Sequence, residues 1–313
     1  MQLRTRVEGG GTPRPGYWGI DSEYGVLRDV LTGPVDHFSW RPGNAVVERS
    51  HRIGLEFDAS IARRQHGELI DAFRSAGVRV HTLNPSEELP YQVFARDSSV
   101  MTPWGAVITQ LFKPFRRGEY AECLRFYLSH DIPIYDLITA GNLEGGDFMV
   151  LKPGIAICGY SGERSIEGAV LQIKRWFEAE GWEFHTYAFD PHFLHLDVQM
   201  GMLAEDLAVV CVEAVEPGLL HWLRSKGIRV LGVPYSDAMQ LGCNVVALGN
   251  ERVLIPASSR SLAAVCRAEG LTVLDPDVSM ISNGGGAVHC MCQALRRDLP
   301  SQLRRQPECG RAI

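Results

Sequence analysis

Residues 144–187, EGGDFMVLKPGIAICGYSGERSIEGAVLQIKRWFEAEGWEFHTY, contain the unit from which the fold of this chain is predicted. A polar start leads into two apolar segments separated by Lys152-Pro-Gly, which is turn chemistry typical of a hairpin. A segment with the apolar spacing of an amphipathic helix follows and stops at Gly181. The stretch after Gly181 predicts a further strand. The unit is therefore strand, strand, helix, strand.

The helix–turn–strand half of this unit occurs five times. The copies lie roughly 45–55 residues apart, a period that indicates a repeat or propeller architecture. They are found at 58–83, 120–137, 165–187, 219–233 and 261–276.

Polar segments followed by hairpins alternate with these copies, at 96–108, 144–157, 195–210 and 243–255. The predicted fold is therefore α/β, a five-bladed propeller with pseudo-fivefold strand, strand, helix, strand repeats. Closure of five units into a ring would bring the start of every hairpin to one central channel. Near the N-terminus, 17–34 predicts a strand that ends in a turn, and 35–54 lacks periodicity and predicts a loop.

Length and composition indicate an ordinary globular enzyme. The chain has 313 residues, 45% apolar and 22% charged, with a net charge of −6. This charge offers no basic patch for nucleic acid. No linker interrupts the repeats, so we expect one catalytic domain at 17–300, between a flexible N-terminal tail at 1–16 and a C-terminal tail at 301–313. The sequence leaves a homo-oligomer open.

Cellular location is predicted from the N-terminus and the cysteines. The first 16 residues are polar and lack the apolar segment of a signal peptide. The eight cysteines lie mostly in apolar segments, which predicts reduced thiols in the cytoplasm. No apolar run approaches ~18 residues, so no membrane span is expected.

The starts of the hairpins carry chemically active side chains at one phase of the repeat. Taken singly, each has a structural interpretation: a salt bridge in a surface turn, a capping carboxylate, or a histidine at the core or rim. Their shared phase favours one common site. The residues are Asp97, Glu144 with Asp147, His195 with Asp197, Asn244, and His289 with Cys290.

The last of these starts lies in the stretch NGGGAVHCMCQALRR, residues 283–297. Three consecutive glycines cannot contribute side chains to a core, and they fit where the backbone takes unusual dihedrals or closely approaches a ligand. A thiol between such a turn and a strand can be held rigidly while facing a pocket. Cys290 is therefore a candidate nucleophile, against the alternative of a buried structural cysteine.

Two other kinds of site have less support in the sequence. Cys290-Met-Cys292, His289 and His195-Leu-Asp197 could bind a soft or borderline metal, but the sequence has no paired C-x₂-C and no H-E-x-x-H. No G-x-G-x-x-G opens a helix after a strand, so a dinucleotide site is not predicted. We expect no metal and no organic cofactor.

Four segments, in this order, resemble the guanidino-group-modifying enzymes, or penteins. This superfamily includes arginine deiminase, agmatine deiminase, dimethylarginine dimethylaminohydrolase and arginine:glycine amidinotransferase. The resemblance covers about residues 23–298 and implies a five-bladed α/β propeller. The segments are Arg96-Asp97, Glu144-Gly-Gly-Asp147, His195-Leu-Asp197 and Gly284-Gly-Gly followed by His289-Cys290.

The resemblance also implies roles. Asp97 and Asp197 would bind the guanidinium, which stays protonated and therefore requires carboxylates. Cys290 would attack the guanidinium carbon, with its thiolate favoured by the cationic substrate. His195, oriented by Glu144, would protonate the leaving amine and activate water against the S-alkylthiouronium intermediate.

Fewer residues indicate the substrate. Gly162-Glu-Arg164-Ser resembles the arginine deiminase segment that binds an α-carboxylate, which implies that role for Arg164. Arg116 or Arg117 could supply a second contact, and Arg117 is the one we assign. Asn283 is a further candidate for substrate binding, since it stands where bacterial arginine deiminases have an arginine. The lengthened loop at Ala287-Val288 is instead similar to agmatine deiminases.

The predicted function is hydrolysis of a C–N bond in the guanidine of arginine or a close derivative. Ammonia or an alkylamine and a ureido product would be released. The alternatives are an amidinotransferase that passes the amidino group to an amine, an agmatine-type deiminase, and a non-catalytic guanidine-binding protein.

Overall fold

The structure is a computed structural model and describes residues 18–298. The two predicted tails, at 1–16 and 301–313, lie outside the described residues. In the described range, no helix combines the length and apolar character that crossing a membrane requires.

The described residues form fifteen strands and eight helices. The strands are β1 (Leu27–Thr32), β2 (Arg79–Thr82), β3 (Ser99–Thr102), β4 (Gly105–Ile108), β5 (Ile134–Leu137), β6 (Phe148–Lys152), β7 (Ile155–Tyr160), β8 (Glu183–Ala188), β9 (Met200–Ala204), β10 (Leu207–Cys211), β11 (Arg229–Val233), β12 (Val246–Gly249), β13 (Arg252–Leu254), β14 (Thr272–Leu274) and β15 (Cys292–Arg297). The helices are α1 (Ala45–Arg52), α2 (Ala59–Ser75), α3 (Glu119–Ser129), α4 (Glu167–Ala179), α5 (Pro217–Ser225), α6 (Tyr235–Ala238), α7 (Arg260–Ala268) and α8 (Ser279–Ser282).

The strands form five three-stranded sheets of the same design. In each sheet an antiparallel pair is followed by a parallel third strand. The predicted α/β class is confirmed, and the five sheets are consistent with the predicted repeats. Their strand orders are β15-β1-β2, β3-β4-β5, β6-β7-β8, β9-β10-β11 and β12-β13-β14.

The first sheet is completed by the last strand. β15 pairs antiparallel with β1, and the register places Leu27 opposite Arg297 and Thr32 opposite Cys292. The end of the described chain is thereby joined to its beginning, which places the segment of Cys290 among the other hairpin starts.

The turn after each long helix explains why the repeats were recognisable. A residue with positive φ ends the helix at Gly77 (79°), Asp131 (52°), Gly181 (79°), Gly227 (72°) and Gly270 (89°). The left-handed conformation costs glycine little, and aspartate tolerates it better than most residues. This conformational requirement is what placed a glycine or aspartate before each third strand.

The prediction of a loop at 35–54 was wrong in its second half, where α1 spans Ala45–Arg52. The Asn44 side chain caps this helix by accepting a hydrogen bond from the Val47 N–H at 2.9 Å. Only Val47 and Ser50 are buried among its eight residues. A helix of eight residues makes little more than two turns, which is shorter than the window over which apolar spacing identifies a helix in a sequence.

The polar hairpin starts immediately precede the first strand of each sheet: β3, β6, β9, β12 and β15. Two of them form short 3₁₀ turns, at Gly145–Asp147 and Leu196–Val198. The turns redirect the chain just before the buried strands. The repeat therefore positions functional side chains at one equivalent point of each sheet.

Candidate active site

Cys290 lies 4% exposed between the glycine turn and β15. Its Sγ accepts a hydrogen bond from Asn244 Nδ2 at 3.1 Å and donates one to Asp197 Oδ2 at 3.3 Å. Burial raises the pKa of this thiol well above its usual value, and the Asp197 and Asp97 carboxylates raise it further. The thiol is therefore protonated near neutral pH.

The glycine turn is explained by close packing. Gly285 has φ of 114°, where an L side chain would be strained. A Cβ on Gly286 would lie 2.6 Å from the ring of Phe94 and 2.9 Å from the Cβ of Cys290. A side chain at either position would displace the cysteine or strain the turn.

His195 faces the same cleft as Cys290. Its Nε2 lies 2.8 Å from Glu144 Oε2, and its Nδ1 lies 3.7 Å from Asp97 Oδ1. Burial alone would lower the pKa of this histidine, but the carboxylates of Asp97, Asp147 and Glu144 outweigh burial and raise the pKa to about 10. His195 is therefore an imidazolium at neutral pH.

Glu144 is fully buried but not without partners. Its Oε2 accepts a hydrogen bond from Arg164 Nη1 at 3.1 Å, and its Oε1 accepts one from the Phe112 N–H at 2.9 Å. Burial would raise the pKa of Glu144, but Arg164 and His195 overcome that effect and hold the pKa below its usual value. A permanent negative charge beside His195 follows.

The two glycines after Glu144 have a packing reason as well. A Cβ on Gly146 would lie 2.7 Å from Nδ1 of His195, and a Cβ on Gly145 would lie 2.0 Å from the backbone oxygen of Arg96. Glycine is thus required for the histidine and the neighbouring hairpin start to approach this turn.

Asp97 is the second carboxylate in the cleft. Its Oδ1 accepts a hydrogen bond from the Gly146 N–H at 3.1 Å, and its Oδ2 accepts one from Arg116 Nη1 at 2.7 Å. Arg116 also donates to both oxygens of Glu119, at 2.9 and 2.8 Å. Arg117, by contrast, is exposed and donates to the backbone oxygen of Phe112 outside the cleft.

Asp147 supports the site through hydrogen bonds to neighbouring segments. Its Oδ2 accepts a hydrogen bond from Ser165 Oγ at 2.5 Å, and its Oδ1 accepts one from the Leu196 N–H at 2.9 Å. Burial raises the pKa of Asp147 to about 7, against the opposing effect of His195. Through its hydrogen bond from the Leu196 N–H, Asp147 stabilises the turn that carries His195.

Asp197 lies beneath Cys290 and does not line the cleft wall. Its Oδ2 is 2.8 Å from His289 Nδ1, while its Oδ1 is buried and has no hydrogen-bond partner. Burial would raise the pKa of Asp197, but His289 lowers it. His289 in turn lies 3.9 Å from Glu23, a buried carboxylate that the sequence did not single out.

A cleft of about 400 Å³ brings these groups together. Cys290, His195, Asp97 and Arg164 line it, whereas Glu144, Asp197 and Arg117 do not. Asn283 does not line this cleft but a second cavity, together with residues of α1 and α8. The other residues of the cleft wall include Arg41, Asn44, Tyr91, Phe94, Phe115, Arg116, Leu194, Gly284 and Gly285.

Tyr91 and Asn44 are contributions that the sequence did not reveal. Tyr91 Oη donates to the backbone oxygen of Gly284 at 3.3 Å, and Asn44 Nδ2 donates to the same oxygen at 3.2 Å. Both residues thus hold the glycine turn from segments more than 190 positions away. A contact of this range leaves no local signal.

Asp97, Glu144 and His195 could also be considered as metal ligands, because their donor atoms lie within 4.8 Å of one another. Both carboxylates, however, already pair with an arginine, Arg116 or Arg164. A cation next to each ligand disfavours binding of a divalent ion.

The five-sheet fold and this cysteine–histidine–carboxylate cleft define a class, the guanidino-group-modifying or pentein enzymes. Within that class, residues 42–297 match the family model described as "N,N dimethylarginine dimethylhydrolase, eukaryotic", and the chain belongs to this family.

Known proteins are similar over most of the chain. An uncharacterized protein of Bacillus subtilis, YkgA, is 27% identical over 277 residues, covering 88% of this chain and 94% of its own length. N(G),N(G)-dimethylarginine dimethylaminohydrolase of Pseudomonas aeruginosa is 27% identical over 237 residues, covering 75% and 88%. The N-terminal domain of ArgZ, a cyanobacterial arginine dihydrolase bound to product, superposes with a TM-score of 0.75 at 20% identity, covering 87% and 99%. This last likeness concerns the fold.

Proposed function

We propose that the protein is a hydrolase that cleaves a C–N bond in the guanidine group of arginine or a close arginine derivative. The carrying observation is that a cysteine, an imidazolium and a carboxylate line one cleft together with arginine side chains: Cys290, His195, Asp97 and Arg164. The relative from Pseudomonas aeruginosa, named as a dimethylarginine dimethylaminohydrolase, supports the same class.

Binding of the guanidinium is the first step. Asp97 lines the cleft, and Asp197 offers the buried Oδ1 that lacks a partner. An unpaired carboxylate oxygen in a buried site is costly, so a guanidinium N–H that reached it would be bound favourably. Such a cation would also offset the anionic surroundings that keep Cys290 protonated, and the thiol proton would be released to solvent.

Recognition of the other end of the substrate falls to Arg164. Its pairing with Glu144 leaves the guanidinium on the cleft wall, where it can approach a carboxylate. Arg116 lines the same wall but is already bound by Asp97 and Glu119. Arg117, and Asn283 as a direct contact, would require a rearrangement to reach a substrate in this cleft.

Covalent chemistry follows from the positions of Cys290 and His195. The thiolate attacks the guanidinium carbon and forms a C–S bond. The C–N bond then breaks as the His195 imidazolium gives its proton to the leaving amine, which leaves an S-alkylthiouronium on Cys290.

Hydrolysis reverses the proton transfer. The neutral imidazole of His195 takes a proton from water as the water oxygen attacks the thiouronium carbon. The C–S bond then breaks and regenerates the thiolate of Cys290, the hydroxyl proton is lost to solvent as the ureido carbonyl forms, and the ureido product leaves. Glu144, 2.8 Å from His195, stabilises the imidazolium at the start of each cycle.

We also propose that the sheets close into the predicted five-bladed ring and that residues 17–300 form one catalytic domain. Contacts between neighbouring sheets support this arrangement: the first strands β15 and β3 contact each other, as do β9 and β12, and β12 also contacts β1, the middle strand of the first sheet. The 3₁₀ turns before β6 and β9 also contact each other. Together these contacts connect the five hairpin starts around one centre.

Turnover of defined substrates tests the proposal. The purified protein is incubated with arginine, monomethylarginine, asymmetric dimethylarginine and agmatine, and ammonia, alkylamine and ureido products are measured. Acid quench and mass spectrometry should detect an adduct on Cys290, and Cys290→Ala should give neither adduct nor product. Transfer of an amidino group to an added amine, without ureido product, would contradict hydrolysis. Full activity of Cys290→Ala would contradict the covalent mechanism.

A further inference from the structure

Asn244 occupies the fourth hairpin start and has no part in the chemistry described above. It is completely buried just before β12. Its Nδ2 lies 3.1 Å from Cys290 Sγ, and its Oδ1 accepts hydrogen bonds from the N–H groups of His289 at 2.9 Å and Cys290 at 3.3 Å. One side chain therefore contacts both the reacting atom and the backbone that carries it.

We propose that Asn244 is a catalytic residue whose amide N–H stabilises the thiolate of Cys290. This inference rests on the proposed function, in which that thiolate is the nucleophile. The contact to Sγ is within the range of a hydrogen bond to sulfur, and the Asn244 side chain that makes it is fully buried.

The orientation of the amide is determined by its partners. The backbone N–H groups of His289 and Cys290 can only donate, so the atom that they contact must be the amide oxygen. The NH₂ group is then directed at Cys290 Sγ and, at 3.5 Å, at the backbone oxygen of Asp197, which is an acceptor. A flipped amide would lose all of these bonds.

The charges around the sulfur explain why a donor is needed. Asp197 and Asp97 are anionic and oppose the thiolate, and the adjacent His289 ring is bound by Asp197. The His195 imidazolium lines the same cleft. Burial and the two carboxylates raise the pKa of Cys290, while the backbone of Ala287 and the side chain of Asn244 lower it. Among the described residues, Asn244 is the side-chain donor to Sγ.

Two substitutions separate the donor from the acceptor function. Asn244→Ala removes both. Asn244→Asp keeps an oxygen for the backbone N–H groups but places a second oxygen, and a negative charge, where the donor was. Loss of a hydrogen bond to a charged group should slow thiolate reactions by about ten- to a hundredfold at a fixed pH.

The assay is alkylation of Cys290 by iodoacetamide, measured across pH by mass spectrometry of the Cys290 peptide. In this reaction sulfur forms a bond to carbon, iodide leaves, and the thiol proton goes to solvent. We expect both Asn244 variants to shift the alkylation profile to higher pH, with Asn244→Asp shifted further. Asn142→Asp, which makes the same chemical change outside the cleft, should match the wild type.

Turnover measured in parallel distinguishes this inference from the proposed function. Shifted alkylation together with wild-type turnover of guanidines would overturn a catalytic role for Asn244. Shifted alkylation with no turnover even in the wild type would refute the proposed function and leave the donor role standing.

The wild-type protein provides a measurement that needs no stable variant. The ¹⁵N side-chain resonance of Asn244 should respond when Cys290 is alkylated or titrated, and the pH response should vanish in Cys290→Ala. Folded variants with a wild-type alkylation profile, or an amide resonance that ignores Cys290, would overturn the proposal.

Discussion

Replacement of Glu144 by glutamine tests how the site keeps His195 charged. The change is nearly isosteric and removes the carboxylate that lies 2.8 Å from His195 Nε2. Asp97 and Asp147 remain, so part of the electrostatic support for the imidazolium persists. The expected effect is therefore a lowered pKa of His195.

The size of the effect follows from the distance. Two unit charges at this separation attract by about 6 kcal/mol at an effective dielectric constant near 20. The glutamine amide retains some hydrogen bonding to His195, so we take about half of that value, ~3 kcal/mol, which corresponds to ~2 pKa units. The pKa of His195, now about 10, would fall to ~8.

The assay is the pH dependence of kcat. Only the imidazolium can protonate the leaving amine, so the alkaline limb of the profile reports the pKa of His195 in the complex. In Glu144→Gln this limb should move down by ~2 units, and kcat near pH 9 should fall about tenfold more than kcat near pH 7. Histidine ¹³C resonances titrated by NMR provide the same pKa directly.

Glu119→Gln is the matched control. Glu119 is buried and pairs with an arginine, Arg116, as Glu144 pairs with Arg164, but it has no contact with His195. Its removal should leave the alkaline limb in place. An unchanged limb in folded Glu144→Gln, or an equal shift in Glu119→Gln, would refute the electrostatic account of His195.

Four further outcomes follow. Arg164→Ala should lower kcat for arginine and agmatine alike, because Glu144 loses its partner. It should raise KM for arginine alone, by the ~2–5 kcal/mol of a charge-assisted contact. Equal KM changes for the two substrates would exclude recognition of the carboxylate by Arg164. Cys292 Sγ lies by the backbone oxygen of His289, so Cys292→Ala should keep most of the activity. A loss of turnover in this variant would contradict the prediction. Activity should survive dialysis against a chelator. Loss of activity that is restored by one divalent metal would overturn this prediction. The pKa of His195 is raised from 6.5 to about 10 in the folded protein, so its stabilisation, ~5 kcal/mol, is present below pH 6.5 and is lost as pH rises to 10. Urea unfolding across this pH range should show a falling free energy of unfolding, and a constant value would contradict the prediction.

The sequence predicted the repeats because the fold imposes a local requirement on each copy. A residue that tolerates positive φ must follow each long helix, and Gly77 and Asp131 illustrate the two residue types that meet it. Each hairpin likewise needs a turn of fixed chemistry. Requirements of this kind leave a mark at every copy, and their equal spacing made the α/β class predictable.

The equivalence of the hairpin starts was predictable for the same reason, but the partners of each side chain were not. Arg116 and Arg117 are neighbours in sequence, and only the structure shows that Arg116 turns inward to Asp97 while Arg117 is exposed. That difference depends on the short 3₁₀ helix Pro114–Arg116, which sets the direction of each side chain. Helices and turns this short carry almost no periodic signal.

Pairing of site carboxylates with arginines has a consequence for how the site selects substrates. Arg116 occupies Asp97 Oδ2 and Arg164 contacts Glu144 Oε2, so much of the negative charge in the cleft is already compensated. A cation that entered the cleft would meet the guanidinium groups of Arg116 and Arg164 as well as the carboxylate of Asp97. Asp197 Oδ1 is buried behind the cleft wall and has no partner, so it would bond only to a guanidinium N–H that displaced part of that wall. For the proposed reaction we therefore expect hydrogen-bond direction, in addition to charge, to influence which cations bind.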